Sequence, residues 1–94
     1  MINHFIGADT RLAFEWVDTE NEPIDITAAS FAVTDREGES VTLDSELTYS
    51  AGIVRLHIND ADNNTLGNYT YTVTATSETD VQIISTGLLR IRQP

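Results

Sequence analysis

Apolar and polar residues alternate with a period of two along most of this chain, and that pattern restricts it to short, half-buried strands. In Arg11-Leu12-Ala13-Phe14-Glu15-Trp16 the residues Leu12, Phe14 and Trp16 share one face, because successive strand side chains point to opposite sides. Val54, Leu56 and Ile58 repeat the pattern with Ile53, Arg55 and His57 outward, and Tyr69, Tyr71 and Val73 repeat it again. Between these runs stand turn signals: Asp18 to Pro23, Asp35-Arg36-Glu37-Gly38, Ala51-Gly52 and Ser77-Glu78-Thr79-Asp80. Ile24 with Ile26, Phe31 with Val33, and Val41 with Leu43 add short strands, and Leu47 and Tyr49 extend the meander. Residues 59–65 read as one helical turn, with Asn59 or Asp60 as its N-cap. Seven or eight strands at roughly 8–12-residue spacing predict an all-β, antiparallel two-sheet sandwich with Trp16 in its core.

Ninety-four residues make one domain, 1–94, with no linker or internal repeat. A chain of this size buries only about 60–65% of its unfolded surface. It has no cysteine, so neither a disulfide nor a thiolate enters the argument. Fifteen acidic residues face five arginines and no lysine, a net charge of −10. That charge repels phosphate backbones and anionic lipid, which argues against nucleic acid and membrane partners. The segment from Met1 to Asp9 has no basic region followed by an apolar run, and no stretch nears the roughly 20 apolar residues of a membrane span. The expectation is a soluble product that starts at its own methionine.

Few residues invite a chemical reading. Asp60, Asp62 and Asn64 have the alternating oxygens that open a calcium loop, but Thr65 stands where such a loop has glycine and Tyr71 where it has glutamate. A capped turn with solvated acids is the better reading. His4 and His57 lie in separate strands without a second histidine at ligand spacing, so both are expected at the surface and no metal or other cofactor is expected. Ser30, His57 and Asp25 supply the residue types of a hydrolase triad, yet no strained nucleophile turn marks the serine. Asn63-Asn64-Thr65 and Asn68-Tyr69-Thr70 match the glycosylation acceptor by chance. The chain is not expected to be an enzyme.

The last strand, Val81 to Arg92, carries the most suggestive surface. With Val81, Ile83, Leu89 and Ile91 inward, Ile84 and Leu88 fall on the opposite face beside Thr86, Arg90 and Arg92, with Gly87 as a possible point of altered parity. Joined by Ile53 and Val17 they predict an apolar patch covered by another subunit. Ile53, Ile84, Leu88 and Arg90 are its expected interface residues.

Leu66-Gly67-Asn68-Tyr69-Thr70-Tyr71 resembles the tyrosine corner of immunoglobulin-like folds, with Tyr69 as the corner residue and Tyr71 where an antibody domain carries its second cysteine. Gly7-Ala8-Asp9-Thr10, Phe14-Glu15-Trp16, Glu22 to Thr27, Ala51-Gly52-Ile53-Val54, the tyrosine segment and Gly87-Leu88-Leu89 follow one another in that order. The series resembles short immunoglobulin-like proteins of tailed-phage and prophage structural-gene clusters, and is similar to the N-terminal module of the phage baseplate upper protein. Ala8 splits the Gly-Asp pair, and Thr79-Asp80 replaces the usual glycine hairpin. The resemblance implies a virion component of tail, baseplate, fibre or capsid surface. It would assemble in the bacterial host cytoplasm, with other virion proteins or copies of itself as partners. The alternative is an immunoglobulin-like adhesion or carbohydrate-binding module of a bacterial surface protein.

Overall fold

The computed structural model describes residues 1–59 and 65–93. The alternating runs become eight strands: β1 (Ile2–Phe5), β2 (Thr10–Glu15), β3 (Ala28–Thr34), β4 (Ser40–Val41), β5 (Ser45–Ser50), β6 (Ile53–Ile58), β7 (Gly67–Thr76) and β8 (Val81–Arg92). They form a five-stranded sheet of order β1-β8-β7-β3-β4 and a three-stranded sheet of order β2-β6-β5. Every pairing is antiparallel except β1 with β8, which is parallel. The exception is possible because β1 continues to β2 in the other sheet, so no hairpin fixes its direction. No helix occurs among the described residues, and the helical turn expected over 59–65 falls mostly on residues 60–64, outside them.

Local chemistry accounts for the turns. Asp18-Thr19-Glu20-Asn21-Glu22 and Asp35-Arg36-Glu37-Gly38-Glu39 are the same device used twice. In each, the leading aspartate accepts backbone N–H bonds from the third and fifth residues, at 2.8 and 3.0 Å for Asp18 and at 3.0 and 2.9 Å for Asp35. In each, the fourth residue has positive φ, 66° at Asn21 and 81° at Gly38, and these are residue types that tolerate it. Ala51 (φ 49°) and Gly52 (φ 76°) join β5 to β6 with both central residues left-handed, the arrangement that matches the twist of a two-residue hairpin. The expected meander breaks after β4: buried Leu43 lies where the chain crosses, and β5 pairs with β6 in the opposite sheet.

The core lies between the sheets. Val54, Leu56 and Ile58 of β6 meet Ile2, Tyr69, Tyr71, Val73, Leu89 and Ile91 from the larger sheet, with Phe14 and Phe31 half-buried beside them. Trp16 is buried at one end, its N–H donating to Gly52 O at 2.8 Å and its carbonyl accepting from Ile24 N at 3.0 Å. The Tyr69 hydroxyl donates to Thr65 O at 2.7 Å, which is the tyrosine corner expected from the sequence. His4 is the exception to expectation: it is fully buried, its Nδ1 2.8 Å from Thr10 Oγ1, because β1 alternates Ile2 and His4 into the core.

A bulge in β8 corrects the reading of the last strand. Val73 pairs with Ser85 but Thr74 with Ile83, so Ile84 is one residue more than the partner strand can match. Parity inverts there. Ile84 packs against the core instead of lying on the outer face, while Val81 and Ile83, expected inside, are 70% and 59% exposed.

Candidate protein interface

The expected patch is divided by the sandwich. Leu88, 37% exposed, and Arg90 lie on the outer face of the five-stranded sheet. Ile53 lies on the outer face of the three-stranded sheet, half-buried, and Val17 follows β2 on that side. Ile84 belongs to the core. The structure therefore keeps Leu88 and Arg90 together, removes Ile84, and places Ile53 on the opposite side of the molecule.

What replaces that patch is a whole sheet face. On it, β7 presents Asn68, Thr70, Thr72, Thr74 and Thr76, and the register sets these beside Arg90, Leu88, Thr86, Ile83 and Val81 of β8. β3 adds Ala28, Ser30, Ala32 and Thr34, and β1 adds Asn3 and Phe5. None of the five strands contains a single aspartate or glutamate, although the chain has fifteen. Apart from Glu15 and Glu46 on the smaller sheet, the acids among the described residues sit in the connecting segments. Of the five arginines, Arg11 and Arg55 lie on the smaller sheet. Arg90 and Arg92 lie on the acid-free face, and Arg36, with Asp35 next to it, borders a shallow pocket at its edge with Asn68, Thr70 and Leu88. Among the described residues these three arginines form no ion pair, and Arg90 Nε is enclosed without a hydrogen-bond partner. A large face that is uncharged along most of its length, with exposed Val81, Ile83, Leu88 and Phe5, is the part of this molecule that another protein can cover at least electrostatic cost.

The opposite face is built differently. A groove of about 450 Å³ is lined by Arg11, Ala13, Glu46, Thr48, Arg55 and His57, over the backs of Leu12 and Leu56. His57 Nε2 lies 3.3 Å from Asp9 Oδ1, outside hydrogen-bonding direction, and Arg11 is 3.9 Å from the same carboxylate. Arg11 and Asp9 are the opposed charges that meet there, while Arg55 donates to Ser50 Oγ. Ser30 is on the outer face of the other sheet and Asp25 lies at the end of the sandwich near residues 77–80, so the triad types do not converge. No cluster of three or more metal-ligating side chains occurs among the described residues, and Asp60, Asp62 and Asn64 lie outside them.

No protein-family model and no curated protein matches the chain. Among solved structures it is similar to the crystal structure of the Lin-41 filamin domain, with a TM-score of 0.66 and 17% identity over 98% of this chain and 84% of that one. At that identity the likeness shows the fold, and the fold is an immunoglobulin-like sandwich.

Proposed function

We propose that this domain is a non-catalytic immunoglobulin-like binding module, and that it docks onto protein through the outer face of its five-stranded sheet. The observation that supports this is that no acid among the described residues lies in that sheet, leaving Leu88, Ile83 and Val81 exposed beside Arg90 and Arg92, which form no ion pair among the described residues. Solubility alone is served by acids anywhere on a surface, including the middle of a sheet. The adhesion-module reading of the sequence fits this surface as it stands. The narrower reading, a component of a phage particle, rests on the ordered sequence motifs. Photo-cross-linking residues introduced at Thr72 or Leu88, in the native cell or particle, test the docking face. Covalent adducts with one defined protein are expected from these positions and not from Ala13 or Thr48 on the opposite sheet. Equal or no labelling from the two faces would remove the proposal.

A further inference from the structure

The last strand is paired along its length on one side and only at its end on the other. β7 pairs with β8 from Val81 to Ile91, whereas β1 meets it only from Leu89 to Arg92. Among the described residues no strand lies on the β1 side of residues 81–88. One bond fixes which backbone groups face that side. Ile6 N donates to Arg92 O at 2.9 Å, so Arg92 turns its N–H and C=O toward β1. Backbone groups alternate sides along a strand, and those of Arg90, Leu88 and Thr86 therefore point the same way. At Thr86 the side is open.

Sheet edges in single domains are guarded by shortness, by charge or by a bulge. β1 has four residues and β4 two. β2 carries Arg11 and Glu15, and β5 carries Glu46. Residues 28–32 of β3 are uncharged, but they are rich in alanine, a weak strand former, and the Tyr49 hydroxyl of β5 donates to Thr27 O beside them at 2.8 Å. Val81-Gln82-Ile83-Ile84-Ser85-Thr86-Gly87-Leu88 has neither charge nor proline and is rich in β-branched residues, the composition that pairs with further strands when it is left on an edge. The bulge at Ile84 guards its first half. From Ser85 onward the register is regular into the stretch that β1 covers.

We infer that this edge takes an extended segment of another protein as an added strand, in line with β1. This rests on the five-stranded sheet being the docking side and names how the partner is held there: main-chain bonds to β8 supply affinity, and alternate side chains supply specificity. The surroundings set the chemistry of the segment. In the same line β1 sends Ile2 and His4 into the core. β2, the edge strand of the smaller sheet, lies against β8, and its inward Leu12 and Phe14 are only half-buried, as is Ile84. The inward side chains of an added strand continue the row of Ile2 and cover these three, so they are apolar. The outward ones lie beside Thr86 and Leu88 on the acid-free face. With a charge of −10 on the chain, a segment that is neutral or basic is favoured over an acidic one.

A displayed library of random peptides of about twelve residues, long enough to span the edge, supplies the probe when selected against the full chain. Enriched peptides with apolar residues at every second position and no net negative charge are expected. With one of them bound, amide exchange at Thr86 and Leu88 should slow about tenfold or more, because these N–H groups pass from water into a ladder. Thr86→Pro removes the N–H of the open side while sparing the bonds to β7, and should weaken the peptide about tenfold. Leu88→Pro makes the same test one pair further on, and Leu88→Val, which keeps the N–H, should change binding by less than about twofold. The inference is overturned by a library that yields no binder, by exchange protection confined to residues 28–32 or another edge, or by a folded proline variant that binds the peptide undiminished. Protection of Thr86 and Leu88 in the concentrated chain without peptide also overturns it, since the occupant is then a second copy. If cross-linking from Thr72 and Leu88 to a defined protein persists in the Thr86→Pro chain, the added strand is refuted while the docking face stands.

Discussion

Gly52 and Gly38 offer a controlled measurement of how tightly the sandwich is closed beside Trp16. Both have positive φ, +76° and +81°, so an alanine at either position bears the strain of the left-handed region, about 1–2 kcal/mol. They differ in surroundings. A Cβ at Gly38 meets nothing within 4 Å, whereas one at Gly52 falls 2.8 Å from Pro23 Cβ, 3.0 Å from Pro23 Cα and 3.0 Å from the Trp16 carbonyl oxygen. Two of those three atoms belong to backbone, and the Trp16 carbonyl is already bonded to Ile24 N. Relief requires moving the Trp16–Ile24 segment, an overpacking cost of about 1–3 kcal/mol on top of the conformational one. Gly38→Ala is therefore expected to cost about 1–2 kcal/mol and Gly52→Ala about 2–5 kcal/mol, a large part of the roughly 5–15 kcal/mol that holds such a domain. Urea denaturation followed by the fluorescence of Trp16, the single tryptophan, reads both. With a slope near 1 kcal/mol per molar urea, the two midpoints should separate by about 1–3 M. Equal midpoints would refute the argument that close approach, rather than φ, makes Gly52 necessary.

Two further outcomes follow from the same structure. Tyr69→Phe removes the hydroxyl donor to Thr65 O while keeping the buried ring, and should lower stability by about 0.5–1.5 kcal/mol in the same assay. A null effect would mean that the corner bond is replaced by water at no cost. Chelation of divalent ions should leave the melting temperature unchanged, since the calcium-loop reading fails at Thr65 and Tyr71. A fall of several degrees reversed by calcium would show that Asp60, Asp62 and Asn64 hold an ion.

The strand content of this chain is a local property, and period-two alternation is enough to write it down. Leu12, Phe14 and Trp16, or Val54, Leu56 and Ile58, have the same inward face whichever strands lie beside them. The tyrosine corner is equally local, because the Tyr69 hydroxyl needs only a carbonyl four residues upstream. The aspartate-led turns at Asp18 and Asp35 are local too, and their shared five-residue pattern was there to be read.

What the alternation leaves undecided is anything that depends on a partner strand. β8 has no local mark at Ile84. The bulge exists because ten residues of β7 accept eleven consecutive residues of β8 across the Val73–Thr74 step, and that shift alone moves Ile84 inward and turns Val81 and Ile83 outward. His4 is buried because β1 pairs in parallel with β8, an arrangement no turn announces. The acid-free face depends most heavily on tertiary structure. Its acid-free strands are scattered over residues 2–5, 28–34, 40–41, 67–76 and 81–92, and between two of them, at 35–39, runs one of the most acidic segments of the chain. The sequence determined which residues can occupy strands and which can turn. Only the assembly of five separate strands into one sheet brought the acid-free stretches together, because side-chain alternation sorts inside from outside but is blind to which strands will be neighbours.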